Sequence, residues 1–163
     1  MSVLATRPDS GPSATAEAQY VTCTLGDAEY GIDILSVREI KGWSETTALP
    51  HAPDWVRGVI NLRGTIVPIL DLRARFGLGL TATTAMHVVV IIQTATRMAG
   101  LLVDGVSDII AVAAEEVRAV PEIGTSVPER LLAGLIPREG GMVSLVSLDN
   151  LLNLPDAETT PAQ

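Results

Sequence analysis

Aromatic residues are nearly missing from this 163-residue sequence: Tyr20, Tyr30, Trp43, Trp55 and Phe76 are the whole set, 3% of the chain. Single-stranded nucleic acid binds by stacking its bases on aromatic platforms within cationic grooves. A chain with so few rings and a formal charge of -8 offers neither, and the same charge disfavours anionic membrane surfaces. The single cysteine, Cys23, excludes an internal disulfide, and its place in a short apolar run is that of a small buried side chain. The two histidines, His51 and His87, are not at metal-ligand spacing with Cys, Asp or Glu. No apolar run approaches the ~20 residues of a membrane helix, although mean hydropathy is +0.36. Residues 1–18 are rich in Ser, Thr, Ala and Pro and lack a basic flank followed by a continuous apolar segment. They are expected to form a disordered tail, as are residues 155–163, in a cytoplasmic protein with no direct membrane insertion.

The motifs of catalysis are missing too. There is no G-x-S-x-G elbow, no P-loop and no G-x-G-x-x-G fingerprint. The pair Glu115-Glu116 lies in a polar stretch and reads as a solvated face or a helix start. The sequence therefore points to no enzyme, no metal and no cofactor.

What is present is aliphatic. Apolar residues make up 47% of the chain and charged residues 18%, which excludes intrinsic disorder. The β-branched share of this apolar material suits strands. Ten prolines and fourteen glycines cut the chain into short pieces, with strands expected at 20–25, 29–34, 59–62, 66–70, 86–93, 98–104, 109–112, 132–136 and 142–146. This is an all-β pattern. Pro68 cannot donate to a ladder, so its position is expected at an open edge or a bulge.

The sequence also repeats itself. Moving residues 58–78 forward by 76 positions superimposes Gly58 on Gly134, Ile60 on Ile136, Gly64 on Gly140, Val67 on Val143, Leu72 on Leu148 and Leu78 on Leu154. Ile66 falls on Met142 and Phe76 on Leu152, while Asp71 and Ser147 are both helix N-cap types. Upstream, residues 31–40 lie over 100–109 at an offset of 69, matching Gly31, Val37 and Ile40 with Gly100, Val106 and Ile109. Two blocks in the same order imply two related units, about 17–85 and 86–154. Each has the scale of a five-stranded SH3-like β-barrel with a short helical turn, and an apolar seam between them is expected.

The densest segment runs from Gly58 to Arg73. It reads as a hairpin in which Gly64 takes the positive-φ turn position and Arg63 stands at the tip with a planar five-donor fork. Glu39, an acid inside the apolar stretch 34–40, needs a partner if it is buried.

At these residues the sequence resembles the CheW-type coupling proteins of bacterial chemotaxis, over about 19–152. The resemblance rests on Tyr30-Gly31-Ile32-Asp33-Ile34-Leu35, Val37-Arg38-Glu39-Ile40, Leu49-Pro50-His51-Ala52-Pro53, the 58–73 run, and Gly100-Leu101-Leu102-Val103-Asp104-Gly105-Val106-Ser107-Asp108. His51 stands where the family often has Asn. The resemblance implies a non-enzymatic adaptor within receptor arrays. Its partners would be the cytoplasmic tip of methyl-accepting chemotaxis proteins, the regulatory domain of the histidine kinase CheA, and other CheW-like domains in rings. By motif position, Val37, Glu39, Gly58, Arg63, Val88, Val89, Gly100, Val106 and Ile109 would line a receptor-tip groove between the two units, with Glu39 and Arg63 expected to pair with each other at its rim. Arg118 and Ile123 would lie on a kinase-facing or ring-forming surface. Two other readings compete: a related adaptor in another chemosensory pathway, governing surface motility or gene expression, and a small-molecule binding or enzymatic β-barrel.

Overall fold

A computed structural model describes residues 17–121 and 129–152. Continuous β-branched runs form strands buried on both faces, and the clearest is β6 (Val88–Gln93). Its Val88, Val90 and Ile92 face one apolar cluster and its Val89 and Ile91 another, the period-2 alternation of an extended chain. The remaining strands are β1 (Glu17–Leu25), β2 (Ala28–Asp33), β3 (Val37–Gly42), β4 (Val56–Leu62), β5 (Thr65–Asp71), β7 (Met98–Val103), β8 (Gly105–Ala113), β9 (Leu132–Arg138) and β10 (Gly141–Val146). Two short helices, α1 (Leu72–Arg75) and α2 (Leu148–Leu152), follow β5 and β10. Asp71 caps α1, its carboxylate accepting from the Ala74 amide, as its residue type suggested. β3 is not among the strands expected from sequence, because residues 34–40 read there as one apolar stretch; in the fold Val37, Glu39 and Lys41 alternate with more exposed neighbours.

The strands form two five-stranded sheets, β8-β1-β2-β10-β9 and β3-β6-β7-β5-β4. Adding five to each strand number, cyclically, turns the first order into the second, so the duplication is written in the topology. The parallel ladders match as well: Leu145 pairs with Gly31, and their repeat equivalents Ile69 and Gly100 pair in the other sheet. Yet neither half, 17–85 or 86–154, builds a sheet alone. Each sheet joins the first hairpin of one repeat to the last three strands of the other, an exchange that sequence identity does not reveal.

The expectation of closed barrels is corrected. Closure needs a ladder between the first and last strands of each sheet. β3 leaves its sheet at Gly42, and only an isolated bridge from Thr47 to Val59 reaches β4; Arg118 and Leu135 form the equivalent bridge beside β9. Pro68 lies opposite Val59 in the β4–β5 ladder, one residue before the β5–β7 ladder begins at Ile69.

Three apolar clusters result. The largest is shared by the two sheets, bringing Cys23, Tyr30 and Ile32 against Leu70, Val90 and Leu101. The outer faces carry their own clusters, around Val89 and Ile91 on one sheet and around Val143 and Leu145 on the other.

Candidate functional site

The β4–β5 hairpin turns through two residues, with Arg63 at φ +50° and Gly64 at φ +90°. Positive φ at both central positions is the type I′ arrangement, whose twist matches that of the flanking strands. The Asn61 side chain fixes the turn by accepting from the Gly64 amide at 2.7 Å. The turn lifts Arg63 clear of the sheet, and its guanidinium donates to Glu39 on the edge strand β3. This ion pair bridges the two ends of an open sheet. Arg63 is 72% exposed and Glu39 31%, so the pair contributes roughly 0–1 kcal/mol to stability. Its main effect is to fix where a charge-assisted donor and acceptor stand. A cavity of about 250 Å³ lies beside it, lined by Arg38, Leu62, Arg63, Thr65, Ile91 and Met98.

Gly58 sits on β4 at φ +138°, and a Cβ there would fall 2.4 Å from the Thr47 carbonyl oxygen. The glycine lets the 46–47 segment cross β4 closely enough for Thr47 and Val59 to exchange backbone hydrogen bonds of 2.9 and 2.8 Å. Gly100 has a similar packing role on β7, where an added Cβ would meet Ile69 Cδ1 at 2.6 Å and Val89 Cγ1 at 2.7 Å.

The nine residues expected along a groove therefore separate. Gly58, Val89 and Gly100 are buried and support the surface from beneath. Val37, Val88 and Val106 are half-buried against the shared core. Only Glu39, Arg63 and Ile109 present substantial side-chain surface, and Ile109 lies on β8 of the other sheet. Arg118 is exposed while its backbone bridges Leu135. Ile123, like most of the two tails, lies outside the described residues.

Sequence reasoning missed two exposed apolar residues near Glu39. Leu35 is 90% exposed in a turn of 3-10 helix capped by the Asp33 carboxylate, and Ile40 is the repeat equivalent of Ile109. Two apolar residues, Ile34 and Leu35, beside a capping Asp were the available signal for the first. The repeat was the signal for the second. Among the described residues no group of His, Cys, Asp and Glu could hold a metal ion, and no helix is long and apolar enough to cross a membrane. The arrangement sets a charge-assisted donor and a carboxylate beside aliphatic side chains.

Comparison with known proteins agrees on a relationship. The family model for the CheW-like domain matches residues 19–156. The probable chemotaxis protein CheW of Rhizobium etli is 39% identical over 142 residues, 87% of this chain and 92% of that protein. The chemotaxis protein CheW of Klebsiella aerogenes is 40% identical over 139 residues, 85% of this chain and 84% of that protein. The crystal structure of the scaffolding protein TtCheW from Thermoanaerobacter tengcongensis superimposes with a TM-score of 0.78 at 28% identity, covering 86% of this chain and 90% of that one.

Proposed function

The chain belongs to the CheW-like domain family, and from that premise we propose that it is a non-enzymatic adaptor coupling methyl-accepting chemoreceptors to the histidine kinase CheA within receptor arrays. The observation that carries this reading is the Glu39–Arg63 pair, held across the open side of a sheet beside a cavity lined by Leu62, Ile91 and Met98, with Val37 half-buried on the same strand as Glu39. A chemoreceptor tip is a helical hairpin, and an aliphatic surface of this kind receives the apolar face of a helix. The ion pair then orients the hairpin tip by offering a donor fork and a carboxylate at fixed positions. Coupling needs no bond to be made or broken. An adaptor that contacts both partners shifts the kinase between its states by its difference in affinity for them.

Mixing the full chain with the regulatory domain of its own organism's CheA and with receptor tips tests this directly. Simultaneous binding of both, with kinase activation, is expected. Binding of neither partner by folded protein would overturn the reading.

A further inference from the structure

The internal repeat differs at a buried aromatic pair, and a pocket lies beside the difference. In the first repeat Tyr30 and Phe76 stack with ring centroids 4.9 Å apart, and both are buried. The same offsets that pair Gly31 with Gly100 and Leu72 with Leu148 put Ala99 in place of Tyr30 and Leu152 in place of Phe76. The matched Gly31 and Gly100 ladders confirm that Tyr30 and Ala99 hold the same station in their sheets. Where one half has two rings, the other has a methyl and an isobutyl group. Beside them lies an apolar pocket of about 150 Å³, lined also by Leu49, Pro53, Pro68 and Met98. A volume of ~150 Å³ is enough for a single benzene-sized ring. None of these residues belongs to the expected receptor groove.

Two further observations identify the occupant. Leu49, at the pocket, is 45% exposed, so apolar surface continues outward and a ring arriving there would be one part of a larger contact. Arg97 also lines the pocket; its Nη1 donates to the Leu152 carbonyl at 2.9 Å, and among the described residues it forms no ion pair. A cation at the edge of an oily socket complements a carboxylate next to the ring. We propose that this pocket is a docking socket for one aromatic side chain of a protein partner, flanked in that partner by an acidic group. The inference rests on the adaptor reading for its choice of a protein as the source of the ring.

Methyl-detected NMR on the full chain tests it, with N-acetylphenylalanine as the probe because that molecule carries both ring and carboxylate. Saturable shifts of the Met98, Leu49 and Leu152 methyl resonances are expected, with none from N-acetylalanine. N-acetylphenylalaninamide, which lacks the charge, should bind about threefold more weakly, the scale of an exposed ion pair. Ala99→Phe should abolish the shifts by filling the socket. Should that variant not fold, Arg97→Gln serves in its place and should equalise the acid and the amide while leaving ring binding intact. Absence of saturable shifts, or equal shifts from the alanine derivative, overturns the proposal. It is also overturned if deleting residues 157–163 moves the Met98 and Leu49 methyls without any probe, since the chain's own C-terminal segment would then be the occupant. None of these outcomes involves CheA or receptor, so failure here leaves the adaptor reading standing.

Discussion

Single residues in this protein divide into those that hold the fold and those that present chemistry. Arg63 is of the second kind. Arg63→Ala removes the donor to Glu39 but deletes only an exposed ion pair, so a change within about 1 kcal/mol is expected in denaturant unfolding. Receptor pull-down and kinase activation are expected to fall sharply at the same protein concentration; if both persist, the pair has no role in docking. Cys23 is of the first kind. It is fully buried in the shared core, and burial pushes its thiol from 9.0 up to about 12. The thiolate is the reactive form, so a thiol reagent at pH 8 should leave folded protein unmodified and react rapidly once urea is added. The folded state holds its proton more tightly than the unfolded state. The resulting stability is intact below pH 9 and is lost as pH rises from about 9 toward 12. Cys23→Ala should flatten that alkaline decline in thermal unfolding. The burial of Cys23 was legible from its apolar run, and the Glu39–Arg63 pairing, across 24 positions, was expected at a groove rim and is present in the fold; that the pair bridges the two ends of an open sheet needed the tertiary structure.

At the scale of elements, two glycines show how a position acts through its neighbours. Gly58 has positive φ and faces a backbone oxygen that cannot move aside cheaply, whereas Gly141 is exposed and has open space where a Cβ would go. Gly58→Ala should cost about 2 kcal/mol or more, from strain plus loss of the Thr47–Val59 bridge. Gly141→Ala should fall within about 0.5 kcal/mol, and comparable unfolding midpoints for the two variants would refute this account. A buried polar network does similar work at the end of β5: the fully buried Asp71 carboxylate accepts from the amide and hydroxyl of Thr81 at 2.7 Å each and pairs with Arg57 at 3.4 Å. It ties the segment after α1 to the sheet. The capping role of Asp71 was readable from sequence, but Thr81 and Arg57 were not, since nothing local marks them as its partners.

The whole molecule is held together by strand exchange. β1 and β2 lie in the same sheet as β8, β9 and β10, while β3 to β5 lie with β6 and β7. Residues 17–85 alone would carry a two-stranded ribbon and three strands without the hairpin that joins them, and two strands rarely persist without further cover. Each half expressed by itself should therefore be unfolded or aggregated by circular dichroism and gel filtration. Co-expressed halves should associate and recover the native spectrum. An independently folded, monomeric half would contradict the exchanged arrangement.

The sequence by itself determined the all-β class, the duplication, the hairpin tip at Arg63 and Gly64, the cap at Asp71 and the family. Each of these is encoded by residues near one another in the chain or by a repeat spacing. Tertiary structure alone decided that the repeats exchange strands, that the sheets stay open, that Gly58, Val89 and Gly100 lie beneath the surface, and that Ala99 and Leu152 leave a pocket. Those outcomes depend on which distant strands compete for the same hydrogen-bonding edge and how their side chains fill the space between. Neither is a property of any local stretch of sequence.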